Sequence, residues 1–430
     1  MKVLMFGWEF PPHISGGLGT ACYGLTKGLS HFDIDLDFVI PKAYGGEDSS
    51  HMSLTSADDI DLDFTEQDVL AFENEFKILS TYTNLRPYMH PDLTDGEKSF
   101  YESQQSLDNR TIKLERGCLQ LTGKYTDRLL EEVHKYALVA ENIAKKRSFD
   151  IIHAHDWLAY PAGIAAKKAS GKKLVIHVHA TEHDRTGEKV YQAVYDIERL
   201  GMEAADRIIA VSNLTKNVIV TRYGIDPQKI DVVYNAVDIN KENEFYVPKK
   251  VKEKLVTFLG RVTFQKGPGY FIEAAKLVLD FNDNVRFVMA GSGDMLPRMI
   301  KRVADLHLSD KFHFAGFLKD KDVYRMLNQS DLFVMPSISE PFGIVPLEAM
   351  SSNVPIIISK QSGVAEVLRY AIKVDFWDIQ ALADAIYGLV TYLPLEQMFR
   401  AYGKDEVKAL KWENSAFNVI NVYKKVLNRG

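Results

Sequence analysis

Nine short apolar runs punctuate this sequence, and patterns of helical periodicity fill most of the intervals between them. The runs are Val3–Gly7, Asp150–His155, Leu174–His179, Arg207–Val211, Ile230–Tyr234, Leu255–Gly260, Arg286–Ala290, Leu332–Met335 and Pro355–Ser359. Most are continuous rather than alternating, which is the pattern of strands covered by helices on both faces. Repeated strand-then-helix order predicts an α/β architecture with parallel sheets. Helical spacing is clearest over Leu129–Lys145, Pro268–Leu279 and Val345–Ser351. A chain of 430 residues has room for two or three domains of roughly 100–200 residues each.

Two stretches interrupt this rhythm. Residues 42–110 hold 15 Asp+Glu against 5 Lys+Arg, a net of −10 inside a chain whose total is −6, so the remainder is +4. A polar stretch of this length reads as a folded insertion, here about 42–125, rather than a structureless loop. The second, Asp238–Lys254, is charged and carries a proline, and it reads as a linker. It divides an amino-terminal domain, 1–245, from a second domain, 246–411. From Trp412 onward, Ala416, Ile420, Tyr423 and Leu427 recur at helical spacing, predicting a closing amphipathic helix over 412–430; it is expected to pack back on the first domain.

Composition excludes several classes of function. A net charge of −6 suits neither a nucleic-acid binder nor a polybasic membrane anchor. Two cysteines, Cys22 and Cys118, cannot build a disulfide framework and point to a reducing, cytoplasmic setting. The opening MKVLMFGWEF has six apolar-leaning residues between its lysine and Glu9, too few for a secretory leader. No stretch approaches the roughly 18 uninterrupted apolar residues of a membrane span, so no integral membrane segment is expected.

The most informative string is SISEPFGIVPLEAMSS, Ser337–Ser352. It follows the run Leu332–Met335 and is expected to open a helix near Gly343, with Pro346 in the first turn where its missing N–H removes nothing. The amides of Phe342, Gly343, Ile344 and Val345 would then face whatever lies beyond the strand, a ready place for hydroxyls or phosphate oxygens. Glu340 precedes that helix and Glu348 lies within it. Carboxylates of this kind accept paired hydroxyl donors, although a bare pair reads first as a cap and a solvated surface residue. Arg261 and Lys266, in LGRVTFQKGP, sit in a second strand-to-helix turn. Each cation there is worth about 4 kcal/mol against a phosphate charge at roughly 4 Å and an effective dielectric near about 20, before desolvation. Near the start, Gly16 and Gly17 let a loop's amides approach an anion at a helix N-terminus, a weak signal alone. Their spacing does not make the G-x-G-x-x-G of a dinucleotide site, which disfavours an NAD-dependent oxidoreductase.

Together these strings resemble the retaining GT-B glycosyltransferases of families 4 and 5, the latter being the glycogen and starch synthases. The resemblance covers nearly the whole chain and is weakest over 42–125. It implies two doubly wound, Rossmann-like parallel-sheet domains facing across a cleft, with a nucleotide-sugar donor held at the carboxyl ends of the strands. By this resemblance Glu340 contacts the transferred sugar and Glu348 the ribose. Arg261 and Lys266 clamp the leaving diphosphate, and the amides of Phe342–Val345 and of Gly16 and Gly17 face the donor. His179, with His177 on the same strand face, takes the place of a histidine that touches the transferred sugar. Asp156, in HAHDW, matches an acceptor-side motif, though the residue itself reads equally as an organiser of its loop. Asn235 and Asp238 match a stretch at the domain junction, Gly291-Ser292-Gly293 a turn beside the base, and Ser362–Glu366 a Gly-Gly-x-x-Glu stretch. One departure is Ile14, where bacterial ADP-glucose-using glycogen synthases carry lysine; it leans the chain toward family 4.

The expected reaction is transfer of a hexose, glucose first, from UDP- or ADP-glucose to an oligo- or polysaccharide acceptor, with no cofactor and no metal. A zinc reading of His177, His179 and His183 needs three or four converging ligands, and a structural histidine is the ordinary reading for each alone. The strings Asp33-Ile34-Asp35 with Asp37 and Asp59-Ile60-Asp61 with Asp63 read as solvated edges rather than a cation site. A nucleotide-sugar epimerase or a non-catalytic sugar-binding protein of the same fold are the alternatives. The aromatics Tyr82, Tyr88, Phe100 and Tyr101 are expected to pack a small subdomain within the insertion.

Overall fold

The computed structural model describes residues 1–12, 16–62, 114–115, 118–126, 128–239, 249, 251–319 and 321–428. Ser15, Ile14, Asp63, the four insertion aromatics and the expected domain border near 245 lie outside these residues. The chain forms two compact units: Met1–Val211 with Lys216–Val233 and Ser415–Gly430, and Ser212–Thr215 with Tyr234–Asn414.

In the first unit the strands are β1 (Lys2–Phe6), β2 (Asp35–Ile40), β3 (Ser53–Ser56), β6 (Ile151–His155), β7 (Lys173–Val178), β8 (Arg207–Ala210) and β9 (Ile230–Val232). A short antiparallel hairpin, β4 (Leu114–Glu115) with β5 (Cys118–Leu119), stands apart. The seven strands form one sheet in the order β3-β2-β1-β6-β7-β8-β9. Every pairing in it is parallel. The chain runs outward from β1 through β2 to β3 and then returns to β1's other side, so the order reverses between β1 and β6. Crevices for ligands form beyond the carboxyl ends of strands at such a reversal. Here those ends are Gly7 onward and Asp156.

Helices cover the sheet closely. Gly163, in helix Asp156–Ser170, has no room for a side chain: a Cβ there would lie 2.9 Å from Ala154 Cβ and from Leu174 Cδ1. Gly201, in helix Gln192–Ala204, is likewise pressed on Tyr160, whose ring would lie 2.4 Å from an added Cβ. The closing helix, Trp412–Leu427, buries Ala416, Ile420 and Tyr423.

The second unit's strands are β10 (Lys254–Leu259), β11 (Val285–Ala290), β12 (Phe312–Gly316), β13 (Leu332–Met335), β14 (Ile356–Ser359) and β15 (Ile372–Val374). They pair in parallel in the order β12-β11-β10-β13-β14-β15. This order reverses between β10 and β13, so the crevice lies beyond Leu259 and Met335. Its core is apolar on both faces, from Phe271 and Ile272 on helix Pro268–Leu279 to Leu382 and Ile386 on helix Ile379–Thr391. Among the described residues, no helix is long and apolar enough to cross a membrane.

Candidate active site

In the second unit, the turn after β10 ends in a short 3-10 segment, Phe264–Lys266, closed by Gly267 at φ 64. A Cβ on Gly267 would fall 2.2 Å from the Pro336 carbonyl oxygen. Glycine therefore supplies both the left-handed backbone and the close approach of this turn to the loop following β13. The consequence is that Lys266 Nζ donates to Glu340 Oε2 in a direct ion pair. Ser337 Oγ donates to the same carboxylate oxygen at 3.2 Å. Glu340 is only 7% exposed, and its backbone is fixed: its N–H donates to Gln361 O and its carbonyl accepts from Gly363 N–H, both at 2.9 Å. A buried carboxylate is tolerated when it is paired and hydrogen-bonded in this way.

Arg261 is exposed and its Nη2 donates to Gln265 Oε1 at 3.2 Å. Gln265 in turn accepts from Ile338 N–H through its backbone carbonyl at 2.9 Å, tying the basic turn to the Glu340 loop a second time. Phe342 is buried, and its carbonyl accepts from Val364 N–H at 2.7 Å. The helix runs Val345–Ser351 with Ile344 as its N-cap and Pro346 in its first turn. It thus opens two residues after Gly343, the expected start; Gly343, at φ 102, belongs to the preceding turn. Glu348 is half-buried on that helix. Gly291 and Gly293 serve close packing of adjacent loops: Cβ atoms there would lie 1.8 Å from Gly260 O and 2.3 Å from Val262 O.

The first unit carries the remaining expected residues. Gly16 is the N-cap of helix Gly17–Leu29. Its N–H donates to Glu9 Oε2 at 3.2 Å, and Gly19 N–H donates to the same oxygen at 3.3 Å. Tyr125 Oη donates to the other carboxylate oxygen of Glu9. The anion at this helix start is thus the chain's own, a feature the glycines did not signal; a carboxylate is favoured there by the unpaired amides and the helix dipole. Gly17 is exposed, with open space where a Cβ would stand.

Asp156 opens the helix after β6 at φ 58. Its Oδ1 accepts from His179 N–H at 2.6 Å and from Ala180 N–H at 3.3 Å. These two contacts let it organise the loop after β7. Burial pushes its carboxyl up to about 7, against the opposing pull of Arg185 and of the two amides. His179 follows β7 directly, and its Nε2 lies 2.9 Å from His155 Nδ1. Burial lowers its pKa to about 3, so it is neutral at pH 7. His183 is not part of this group; its Nδ1 lies 3.0 Å from Gly187 O.

Strand pairing sets His155 beside His177. Side chains two apart share a face, so His153, His155, His177 and His179 form one layer. Its rings lie 4.3 Å apart along each strand and 5.2 Å from His155 to His177. Cys22 joins His155 and His179 in one group of potential ligand atoms, and His153, His155 and His177 form another, each group within 4.8 Å. Of the Asp strings, Asp37 pairs with Arg147 and Asp35 with Lys2.

Comparison with known proteins agrees with this architecture. Residues 240–406 match the family described as Glycosyl transferases group 1, and residues 121–241 the one described as Glycosyltransferase Family 4. An uncharacterized glycosyltransferase of Methanocaldococcus jannaschii is 28% identical over 99% of this chain and 98% of its own length. A glycogen synthase of Mycobacterium tuberculosis is 24% identical over 86% of this chain and 80% of its own. The structure of Anabaena HepE in complex with UDP and glucose superposes with a TM-score of 0.68 at 16% identity, covering 99% of this chain and 100% of that one. The two doubly wound sheets and these matches define a GT-B enzyme. The chain belongs to the glycosyltransferases of the family 4 type.

Proposed function

We propose that the enzyme moves a hexose, glucose in the first instance, from UDP- or ADP-glucose to an oligo- or polysaccharide acceptor, with retention and without metal or cofactor. The observation that carries this reading is the Lys266–Glu340 pair at the order reversal of the second sheet. Departure of the diphosphate leaves the anomeric carbon oxocarbenium-like while negative charge grows on the leaving group. Arg261 and Lys266 are the cations offered to that charge. In this reading Glu340, paired with its lysine, accepts sugar hydroxyls, and Glu348 accepts the ribose diol. In the first unit, Asp156 fixes the turn that carries His179; this reading gives His179 the role of a sugar contact and Asp156 an acceptor-side role. Relatives support the class of donor: HepE is described in complex with UDP and glucose, and a glycogen synthase matches over 86% of this chain and 80% of its own length.

The test is incubation of the enzyme with UDP- and ADP-sugars, with and without a glucan. Nucleoside diphosphate released only with acceptor supports the reading. Epimerised donor, or binding with no turnover, would assign the fold to the two alternatives. Glu348→Ala is expected to weaken donor binding about tenfold or more, as loss of a charged hydrogen-bond acceptor does; unchanged affinity removes the ribose assignment.

A further inference from the structure

The histidine layer of the first unit has an energetic peculiarity. A neutral imidazole always carries one N–H, and a buried donor without a partner costs about 1–3 kcal/mol. Yet His153 Nε2, His155 Nε2, His179 Nδ1 and both ring nitrogens of His177 are buried with no hydrogen-bonding partner in the protein. His153, His155 and Cys22 are wholly inaccessible, and His177 is 2% exposed. The one ring in this layer with a hydroxyl partner is His153, whose Nδ1 lies 2.5 Å from Tyr423 Oη.

We propose that Cys22, His155 and His179 form a binding site for a borderline divalent transition-metal ion, zinc above all, reached from the side of His179. A tetrahedral zinc with bonds of about 2.0–2.1 Å to nitrogen and about 2.3 Å to sulfur sets its ligand atoms about 3.3–3.7 Å apart. The three ligand atoms here lie within 4.8 Å of one another, and the His155–His179 nitrogens are 2.9 Å apart. Admitting the ion opens the nitrogen pair by about 0.4 Å, replaces the hydrogen bond between the two rings, and draws the sulfur to within about 3.7 Å of both nitrogens. The donor set of one sulfur and two imidazoles selects zinc, cobalt or copper over magnesium or calcium.

The alternative trio, His153, His155 and His177, is less suited. Those rings are stacked, with interplanar angles of 13–29°, and none of them meets another nitrogen to nitrogen; His155 and His179, inclined at 31°, bring two ring nitrogens to 2.9 Å. Imidazole ligates in its neutral form and cysteine as thiolate, so the thiol gives its proton to solvent as the metal–sulfur bond forms. A fourth position is left to solvent or substrate. Metal on His179 takes that ring from the sugar, so the ion acts as an inhibitor; this consequence alone rests on the proposed role of His179.

Titrating the full-length, tag-free enzyme with Co²⁺ tests the site. One equivalent should bind and give both tetrahedral d–d bands and a thiolate-to-metal charge-transfer band, displaced by Zn²⁺. Cys22→Ser, nearly isosteric, should abolish the charge-transfer band and weaken binding at least about tenfold, while Cys118→Ser changes neither. Absence of the charge-transfer band in the wild type, or its loss in Cys118→Ser and survival in Cys22→Ser, overturns the site. Zinc should lower turnover in the wild type and not in Cys22→Ser. Stoichiometric binding with unchanged turnover leaves the site standing and removes His179 from the transfer step.

Discussion

Replacing Asp156 by asparagine isolates the ionisation of one buried carboxyl. Asparagine accepts a left-handed backbone such as the φ of 58 found here. Its carbonyl oxygen can take both bonds that Oδ1 accepts, from His179 N–H at 2.6 Å and Ala180 N–H at 3.3 Å. What the change removes is the charge. Burial raises the Asp156 carboxyl from its ordinary 3.8 to about 7. Between those values the folded chain holds a proton that the unfolded chain has released. Stability therefore falls as pH rises from about 4 to about 7 and is level above. A gap of about three pH units corresponds to a loss on the order of 4 kcal/mol. At about 2–4 °C per kcal/mol for a unit of this size, the variant's melting midpoint should exceed the wild type's by on the order of 10 °C at pH 8 and match it near pH 4. Thermal melts of both proteins followed by near-ultraviolet circular dichroism, from pH 4 to 8, supply the comparison. Parallel curves, or a variant less stable at pH 8, would show Asp156 ionised and stabilising, and the reasoning would be wrong.

Arg185 is a second buried point of leverage: its guanidinium pairs with Glu182 and Glu198, both essentially inaccessible. Arg185→Met leaves two buried carboxyls without their cation and should cost about 3–5 kcal/mol, read as a large drop in melting midpoint; a loss under about 1 kcal/mol would mean that the carboxyls, both raised by burial, simply take up protons. Glu9→Gln should cost about 1–2 kcal/mol by weakening the charged bonds at Gly16 and Gly19. It should also tighten donor binding if the glycine loop faces the diphosphate, and weaker binding in calorimetry would deny that loop a donor role. Lys266→Met should lower kcat by about 10²–10³ and destabilise the second unit by about 1–3 kcal/mol by leaving Glu340 unpaired. Adding Glu340→Gln should restore stability but not turnover, and a double variant as unstable as Lys266→Met would contradict the pairing.

Much of the scaffold was legible because local signals agreed with the global fold. Leu332–Met335, an apolar run between Asp331 and Pro336, is β13 as read, and Pro268 marks the first residue of its helix. Edge strands were harder to see. Ser53–Ser56 is polar, Ile372–Val374 is three residues long, and Phe312–Gly316 leaves His313 exposed. Each carries too little apolar pattern to stand out from a loop. Motifs named Lys266 and Glu340 separately, but their pairing across 74 residues comes from sheet order and Gly267. Likewise His177 and His179 were placed on one face, whereas His153 and His155 join them only through the β6–β7 register, which a single sequence does not encode. Glu9 had no signal beyond an acid seven residues before Gly16.

The most direct test of glycosyl transfer is proton NMR of a reaction with α-linked nucleotide-glucose and a glucan acceptor. One α-glycosidic linkage should form per nucleoside diphosphate released, with both signals lost in Lys266→Met. A β-linked product, free glucose in place of a glycoside, or undiminished transfer by Lys266→Met would contradict retaining transfer through the Lys266–Glu340 pair.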